Sequence, residues 1–210
     1  MIRKIKIKKH LFFKNIYVIT SSIACGKSTF LNIAKENEIF CISADEISSK
    51  VFCYKWKQIR KKLNISNSYF KFLKEKKQAV ANVIFNDKTA KKKLEKIMHS
   101  KIKKEILKKI KQNKNKIIFV EIPLFFENSN YNFLLNKIVI YCSYELSLTR
   151  LMNRNNLTEF EAKLRLNSQL HIDKKIKFAN YLIKNDGNLE DFKDNSLKLI
   201  QKLKEKHGIS

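Results

Sequence analysis

The feature that most constrains this chain is the stretch from Thr20 to Thr29, which reads TSSIACGKST. Ser21 to Ser28 fits the pattern G-x-x-x-x-G-K-[ST], except that Ser21 stands where the first glycine is expected. An apolar, β-prone run precedes it, and residues with helical spacing follow it. A strand, a tight loop and a helix in this order surround a phosphate with backbone N–H groups. The pattern predicts a phosphate-binding loop; the alternative is a Gly-Lys-Ser tripeptide in an ordinary turn.

The loop pattern assigns expected roles to its residues. Lys27 would reach the β- and γ-phosphates of a nucleotide, and the Ser28 hydroxyl would hold Mg²⁺. The chain has only three glycines, and Gly26 falls at the tightest point of the loop, where a side chain would clash. Cys25 lies beside Lys27 and a helix N-terminus, which favour a thiolate. We therefore expect Cys25 to be an accessible, reactive thiol at a nucleotide site.

The chain is strongly basic, with 45 Lys and Arg against 19 Asp and Glu and a net charge of +26. Such a charge attracts phosphorylated ligands and binds nucleic acid weakly, through electrostatics and without sequence preference. The lysines are spread along the whole chain, which favours a solvated basic surface over a dedicated nucleic-acid site. The sequence has neither a long apolar stretch nor paired metal-ligand cysteines. We expect no membrane span and a reducing cytoplasm.

Five β-prone segments, at residues 16–20, 39–43, 117–121, 137–141 and 181–184, alternate with helical patterns. This alternation predicts an α/β fold with a five-stranded parallel sheet flanked by helices. Residues 1–15 form a basic N-terminal extension, and residues 16–207 form a single domain. Residues 46–115 are predicted to be a helical subdomain, because they contain no convincing strand. Thr158 and Glu161 form a capping box for a helix to about Ile172, and Asn188 can cap the last helix.

Two carboxylates follow predicted strands, at the edge where ligands bind in parallel sheets. Asp45 directly follows the second strand, where it could accept a proton from a hydroxyl during phosphoryl transfer. It could equally cap the next helix, and one residue could do both. Glu121 ends the third strand and could act on Mg²⁺. The alternative for Glu121 is a solvated strand end.

Arginine is scarce, with five in the chain, yet Arg150 and Arg154 stand four residues apart on one predicted helix face. The Asn155-Asn156 pair breaks that helix before the Thr158 cap. A helix–turn–helix with arginines at its turn predicts a lid, at about residues 144–172, that closes on phosphates. The alternative is a pair of surface arginines with exposed ion pairs.

Taken together, these motifs resemble the bacterial dephospho-coenzyme A kinases, within the nucleoside-monophosphate kinase group of P-loop proteins. The similarity covers about residues 16–200 in the family's order. The matching segments are Ser22–Thr29 and Ser43–Asp45, then LEKIMH from Leu94, PLFFE from Pro123, RLMNR from Arg150, Gln169, and ANYLIKNDG from Ala179.

The resemblance implies transfer of the ATP γ-phosphate to the ribose 3′-hydroxyl of dephospho-coenzyme A, with Asp45 as base and Mg²⁺ bound by Ser28 and Glu121. It implies catalytic roles for Lys27, Arg150 and Arg154, and acceptor binding by the helical subdomain. His99 is implied to lie near the acceptor, or is a helix-end histidine. The implied nucleotide-binding residues are Ser22, Ile23, Ala24, Cys25, Gly26, Lys27, Ser28, Thr29, Asn185 and Gly187.

The chain departs from the family at several positions. Ser21 and Ala24 replace loop glycines; the first position is expected to need backbone freedom, so Ser21 would weaken nucleotide binding. Residues 53–78 lack the glycines and the Asp-Arg pair that are usual after the second strand. Two alternatives stay open: another nucleotide or nucleoside kinase of the same fold, or a catalytically weak basic P-loop protein that binds nucleic acid.

Overall fold

The computed structural model describes residues 13–66, 70–127 and 129–209, and contains one five-stranded sheet with the strand order β2-β3-β1-β4-β5. Every strand pairing in this sheet is parallel. The fold class predicted from the sequence is confirmed. The strands are β1 (Ile16–Ser21), β2 (Phe40–Ser43), β3 (Ile118–Glu121), β4 (Asn136–Tyr141) and β5 (Tyr181–Lys184).

Helices connect the strands. Among the described residues they are α1 (Lys27–Glu36), α2 (Ala44–Lys62), α3 (Leu73–Asn86), α4 (Lys88–Gln112), α5 (Tyr144–Asn155), α6 (Glu159–Asn167), α7 (Ile172–Ile176) and α8 (Leu189–His207), with a short 3₁₀ helix at Ser129–Tyr131. Within the described part of the chain, no helix combines the length and the apolar character needed to cross a bilayer.

The chain divides into two compact units. The first comprises residues up to Ser43 and from Ile110 onward, and contains the whole sheet. The second is the continuous helical segment Ala44–Lys109.

The predicted N-terminal extension lies outside the described residues except for its last three. Of these, Phe13 and Asn15 are buried, and the Asn15 side chain donates to the Lys114 and Lys116 carbonyls.

The core of the sheet unit lies on β1 and the strands beside it. All six residues of β1 are buried, as expected for a central strand covered on both faces. On one face, Phe30 of α1 stacks on Phe119 of β3 with ring centroids 5.5 Å apart, and Tyr17 meets Phe119 edge-on at 6.1 Å. Phe192 of α8 is buried in the same cluster. Helices α1 and α8 therefore cover this face with large apolar side chains.

The helical unit has its own apolar and aromatic contacts. The ring of Trp56 in α2 lies 5.8 Å from that of Phe52 and 5.7 Å from that of Phe70. In α4, the apolar residues Met98, Ile102 and Ile106 stand four residues apart and are all buried. These contacts explain how a lysine-rich segment forms ordered helices instead of a solvated coil.

Most of the predicted element boundaries agree with the structure. Each predicted strand lies within one residue of the observed one at either end. The Thr158–Glu161 capping box and the Asn188 cap are both present. One boundary prediction is wrong: α6 ends at Asn167 and does not continue to about Ile172. The N–H group of Leu170 donates to the Glu127 carboxylate at 2.9 Å instead of to a helix carbonyl, which ends the helix there.

We predict that Phe119→Ala lowers the free energy of unfolding by about 3–5 kcal/mol, because it leaves a cavity between Tyr17 and Phe30. Phe160→Ala is the matched control, since this ring is 71% exposed in the same unit. It should change stability by less than about 0.5 kcal/mol. Urea unfolding of both variants measures the difference, and equal effects would contradict the described core.

Candidate active site

The predicted phosphate loop leaves the sheet at Ser21 and ends where α1 begins at Lys27. Two of its residues have left-handed backbone, Ala24 with a φ of 61° and Gly26 with a φ of 93°. Gly26 is the N-cap of α1 and makes no side-chain cap. The first N–H groups of a helix have no partner within that helix, so at this end they stay available to a bound anion.

Gly26 is fixed by its surroundings as well as by its backbone angles. A Cβ atom at this position would lie 2.2 Å from Nδ2 of Asn185, so a larger residue cannot fit without moving that side chain. The same Asn185 amide donates to the Cys25 carbonyl at 2.9 Å. The residue after β5 therefore holds the loop in its turn and occupies the space that a side chain would need.

The missing glycine at Ser21 has a different consequence from the one expected. Ser21 is the last residue of β1, pairs with Ile140 of β4, and does not have positive φ. The expectation that this position needs glycine-like freedom is wrong, because the chain is still an extended strand there. The residue that needs left-handed backbone is Ala24 instead. Because alanine has a Cβ atom, this conformation is energetically unfavourable there.

Lys27 and Glu121 lie together at the carboxyl ends of β1 and β3. Lys27 Nζ is 2.5 Å from Glu121 Oε1, and both side chains are mostly buried, with 18% and 15% exposed. The sequence predicts separate roles for the two residues, phosphate binding for Lys27 and Mg²⁺ binding for Glu121. The structure brings them together as an ion pair, in which the carboxylate holds the lysine at the edge of the sheet.

Ser28 occupies the first turn of α1 and is exposed. Together with the Glu121 carboxylate it offers a hydroxyl and a carboxylate oxygen. Mg²⁺ prefers oxygen ligands and usually takes one or two carboxylates plus phosphates and water, so these donors fit it. Within residues 13–66, 70–127 and 129–209, no three His, Cys, Asp or Glu side chains form a cluster that could hold a metal.

The two arginines of the predicted lid have different surroundings. Helix α5 ends at Asn155, and Asn156 takes left-handed backbone with a φ of 50°, so the predicted break is confirmed. Arg150 donates to the Asn185 carbonyl at 3.1 Å, which ties α5 to the segment after β5. Arg154 is exposed and bonds the neighbouring Asn155 side chain. Arg150 is thus already held beside the loop, whereas Arg154 points to solvent.

The loop also packs against the predicted lid. Ile23 and Ala24 contact the apolar cluster formed by Leu151, Ala162 and Leu166 of α5 and α6. The Ser147 hydroxyl donates to the Ile23 carbonyl at 2.5 Å. The α5–α6 hairpin is therefore one wall of the phosphate loop.

The remaining predicted residues lie on other elements. Asp45 is exposed and is the second residue of α2, in the helical unit. The residue before α2 is Ser43, so Asp45 stands within the first turn and not at the cap position that the sequence suggested as an alternative. His99 is half-buried in α4. Gly187 follows β5, two residues after Asn185, where a Cβ would lie 3.3 Å from Asp191 Oδ2.

Sequence reasoning missed a buried lysine beneath the loop. Lys175 of α7 has 0% of its surface exposed, and its ammonium lies 3.0 Å from Glu127 Oε1. The same ammonium donates to the Ser21 carbonyl at 3.2 Å. A buried charge needs such partners, because burial without them is strongly unfavourable. In a chain with so many exposed lysines, nothing in the local pattern distinguished this one.

The expectation of an accessible thiol in the loop is wrong. Cys25 is 1% exposed, and its sulfur lies 2.9 Å from the sulfur of Cys142, which is fully buried. The hydrogen bond that the Cys142 thiol donates lowers the pKa of Cys25 to about 7, against the opposing effect of burial. The side chain of Cys25 points into the core because its backbone, and not its thiol, lines the loop.

Three features together define a P-loop kinase. They are a central parallel sheet, a strand–loop–helix in which the helix begins with a lysine, and an acidic residue at the end of the neighbouring strand. A sequence profile of the family described as Dephospho-CoA kinase matches residues 16–191. The chain is 42% identical over 195 residues to the dephospho-CoA kinase of Campylobacter jejuni (strain RM1221), a match that spans 90% of this chain and 97% of that protein. The chain therefore belongs to the dephospho-CoA kinase family.

Solved structures agree with this assignment. A dephospho-CoA kinase from Campylobacter jejuni superposes with a TM-score of 0.72 at 40% identity, covering 91% of this chain and 98% of that one. The crystal structure of TT1252 from Thermus thermophilus gives a TM-score of 0.78 at 23% identity, covering 89% of this chain and 96% of that one. The second likeness shows the fold.

We predict that Gly26→Ala disables nucleotide binding and destabilises the protein, because the new Cβ collides with Asn185 in a left-handed turn. Gly208→Ala is the matched control, since Gly208 has a φ of 62° but no atom lies within 4 Å of the position that a Cβ would take. The control carries only the backbone strain of about 1–2 kcal/mol. Titration with a fluorescent ATP analogue and thermal melting compare them. Normal ATP binding by Gly26→Ala would contradict the loop geometry.

Proposed function

We propose that this protein transfers the γ-phosphoryl group of ATP to the ribose 3′-hydroxyl of dephospho-CoA, giving CoA. ATP-dependent phosphorylation of dephospho-CoA is the reaction of the family to which the chain belongs. The observation that carries the proposal for this chain is the Lys27–Glu121 pair at the end of a loop shaped by Gly26. This arrangement presents backbone N–H groups and an ammonium at one edge of the sheet, which suits a nucleoside triphosphate.

Phosphoryl transfer depends on positioning and on neutralising charge, more than on covalent chemistry by the protein. Lys27 supplies a positive charge to the transferring group, and Glu121 sets its position. The N–H groups of the loop bind the phosphate oxygens. Arg150 donates to the Asn185 carbonyl, where it can contribute a second positive charge. Arg154 is exposed and bonds Asn155; its proposed contribution to phosphate binding requires its side chain to turn toward the nucleotide.

Mg²⁺ would supply positive charge that offsets the negative charge of the phosphates. Ser28 and Glu121 would hold it, as one hydroxyl and one carboxylate. Asn185 and Gly187 would frame the adenine. The backbone of these residues would make the contacts, because the Asn185 side chain already donates to the Cys25 carbonyl.

The acceptor is proposed to bind in the helical unit. Asp45 follows the carboxyl end of β2 by two residues and accepts the proton of the 3′-hydroxyl. Within the helical unit, a cavity of about 330 Å³ is lined by Ile47, Val51 and Tyr54, by lysines at positions 50, 101 and 109, and by Glu105, which pairs with Lys101. An apolar wall with a basic rim suits a ligand that carries both an aliphatic arm and a diphosphate.

Assay of the purified protein with ATP and dephospho-CoA tests the proposal directly. AMP and adenosine serve as competing acceptors, because they report on another kinase activity of the same fold. Formation of CoA at a kcat/KM well above that for either competitor is the expected result. A clear preference for another acceptor would overturn it.

The remaining expectations concern partners and location. The spread of lysine supports weak, salt-sensitive binding of nucleic acid without sequence preference, and no specific nucleic-acid partner. Residence in the cytoplasm stays a prediction. A tight and sequence-selective complex with RNA or DNA at physiological salt would contradict the view that this is a kinase alone.

We predict that Lys27→Ala lowers kcat by at least about 10²–10³-fold, because a preorganised charge on the transferring group is lost. Lys35→Ala removes the same charge from an exposed position of the same helix and should leave turnover unchanged. Steady-state kinetics and thermal melting of both variants provide the comparison. Near-normal turnover in a folded Lys27→Ala protein would refute the role of the loop.

We predict that Asp45→Asn lowers kcat by roughly 10²–10⁴-fold, the usual contribution of a general base, with little change in ATP affinity. Loss of the charge from the first turn of α2 costs at most about 1 kcal/mol of stability through the helix dipole.

Glu46→Gln is the matched control for Asp45→Asn, because it removes the neighbouring exposed charge from the same turn. It should have the same small effect on melting and should keep full activity. If Asp45→Asn were fully active, Asp45 would have only a structural role in the helix.

A further inference from the structure

The phosphate loop contains a pair of thiols that the proposed reaction does not use. Cys25 lies in the loop immediately before Gly26, and Cys142 follows the last residue of β4. Their sulfurs are 2.9 Å apart although 117 residues separate them in the chain. Both cysteines are free and buried, so the packing of the core holds their side chains in contact.

The environment makes the two thiols unequal. Cys25 stands at the start of α1, where the helix dipole favours a thiolate, and it accepts the hydrogen bond from Cys142. The pKa of Cys142 is raised, because its proton is held in that hydrogen bond and its surroundings are apolar. One sulfur is therefore suited to attack an oxidant, and the other is in place to resolve the product.

We propose that Cys25 and Cys142 form a reversible disulfide on exposure to a peroxide, and that this bond switches off nucleotide binding by the phosphate loop. The second half of this proposal rests on the proposed function. The bond would join the loop to the junction between β4 and α5, two segments that carry the backbone N–H groups and the predicted lid.

The chemistry balances with hydrogen peroxide as the oxidant. The Cys25 thiolate attacks one peroxide oxygen, so an S–O bond forms, the O–O bond breaks, and the departing hydroxide takes a proton to become water. The Cys142 sulfur then attacks the sulfur of the Cys25 sulfenic acid. The S–S bond forms, the S–O bond breaks, and hydroxide leaves with the Cys142 proton as water. Each sulfur has lost one electron, and the peroxide has been reduced to two waters.

The effect on the loop follows from geometry. A disulfide requires the sulfurs to approach to about 2.0 Å, so the loop must shift toward β4 when the bond forms. Asn185 packs beside Gly26 and donates to the Cys25 carbonyl, so a shift of the loop disturbs both contacts. The N–H groups of the loop are displaced relative to a bound phosphate. A misplacement of this order lowers catalytic efficiency by about 10²-fold.

The test uses the full-length protein, treated with hydrogen peroxide and then blocked with an alkylating reagent. Peptide mapping by mass spectrometry should show Cys25 linked to Cys142. Titration with a fluorescent ATP analogue should show weaker binding, and kcat/KM should fall by about 10²-fold. Dithiothreitol should restore both. Peptide mapping and nucleotide titration need no kinase assay, so they separate failure of this proposal from failure of the proposed function.

Two variants make the test specific. Cys142→Ala should match the untreated protein in activity and keep that activity in peroxide, and Cys142→Ser serves if the alanine variant does not fold. Cys53→Ser removes the exposed thiol of the helical unit and should respond to peroxide as the native chain does.

Each other outcome overturns the proposal. Oxidation of Cys53 without a Cys25–Cys142 linkage would show that the buried pair does not react. A linked protein with unchanged ATP binding would show that the bond is not a switch. Equal inactivation of Cys142→Ala would show that the loss of activity does not require the disulfide.

Discussion

The contact of the Asn185 amide with the phosphate loop is the constraint on which the site depends. This one side chain donates to the Cys25 carbonyl and leaves no room for a side chain at Gly26. The backbone carbonyl of Asn185 accepts from Arg150, and its N–H group donates to the Tyr141 carbonyl. The last strand of the sheet thereby fixes the first loop of the chain and the helix of the predicted lid. Residues far apart in sequence converge because all strands run the same way and end at one edge.

A second buried contact supports the loop from below. Lys175 joins the Ser21 carbonyl to the Glu127 carboxylate, and Glu127 also ends α6 by accepting from Leu170. An ion pair of this kind adds little net stability compared with apolar packing, but breaking it leaves an uncompensated charge. Its effect is to specify one arrangement of the loop, α7 and the segment after Pro123. The loop is consequently positioned by the side chains of Lys175 and Asn185 as well as by its own Gly26.

Much of the fold could be predicted from periodicity and from local signals. Strands differ from helices in the spacing of their apolar residues, and the Thr158 and Asn188 caps mark helix starts by their own side-chain bonds. The loop residues and Lys27 could be recognised because the motif is local. Three features could not be predicted: the burial of Lys175, the pairing of Lys27 with Glu121, and the burial of Cys25. Each depends on a tertiary contact with a distant strand or helix. The expectation for Ser21 was wrong because the motif specifies only the residue type at each position. The backbone angles at Ser21 depend on where the strand ends, and β1 still includes this residue.

The burial of Lys175 also separates two electrostatic regimes within one molecule. The net charge of +26 lies mainly on solvated lysines, whose field is screened within about 10 Å at 0.1 M ionic strength. Their electrostatic attraction for anionic ligands therefore depends on the ionic strength of the solution and weakens as the salt concentration rises. The ammonium beneath the loop has 0% exposure and is reached by no counterion. The shape of the loop is therefore set independently of ionic strength, even where the rate at which ligands arrive is not.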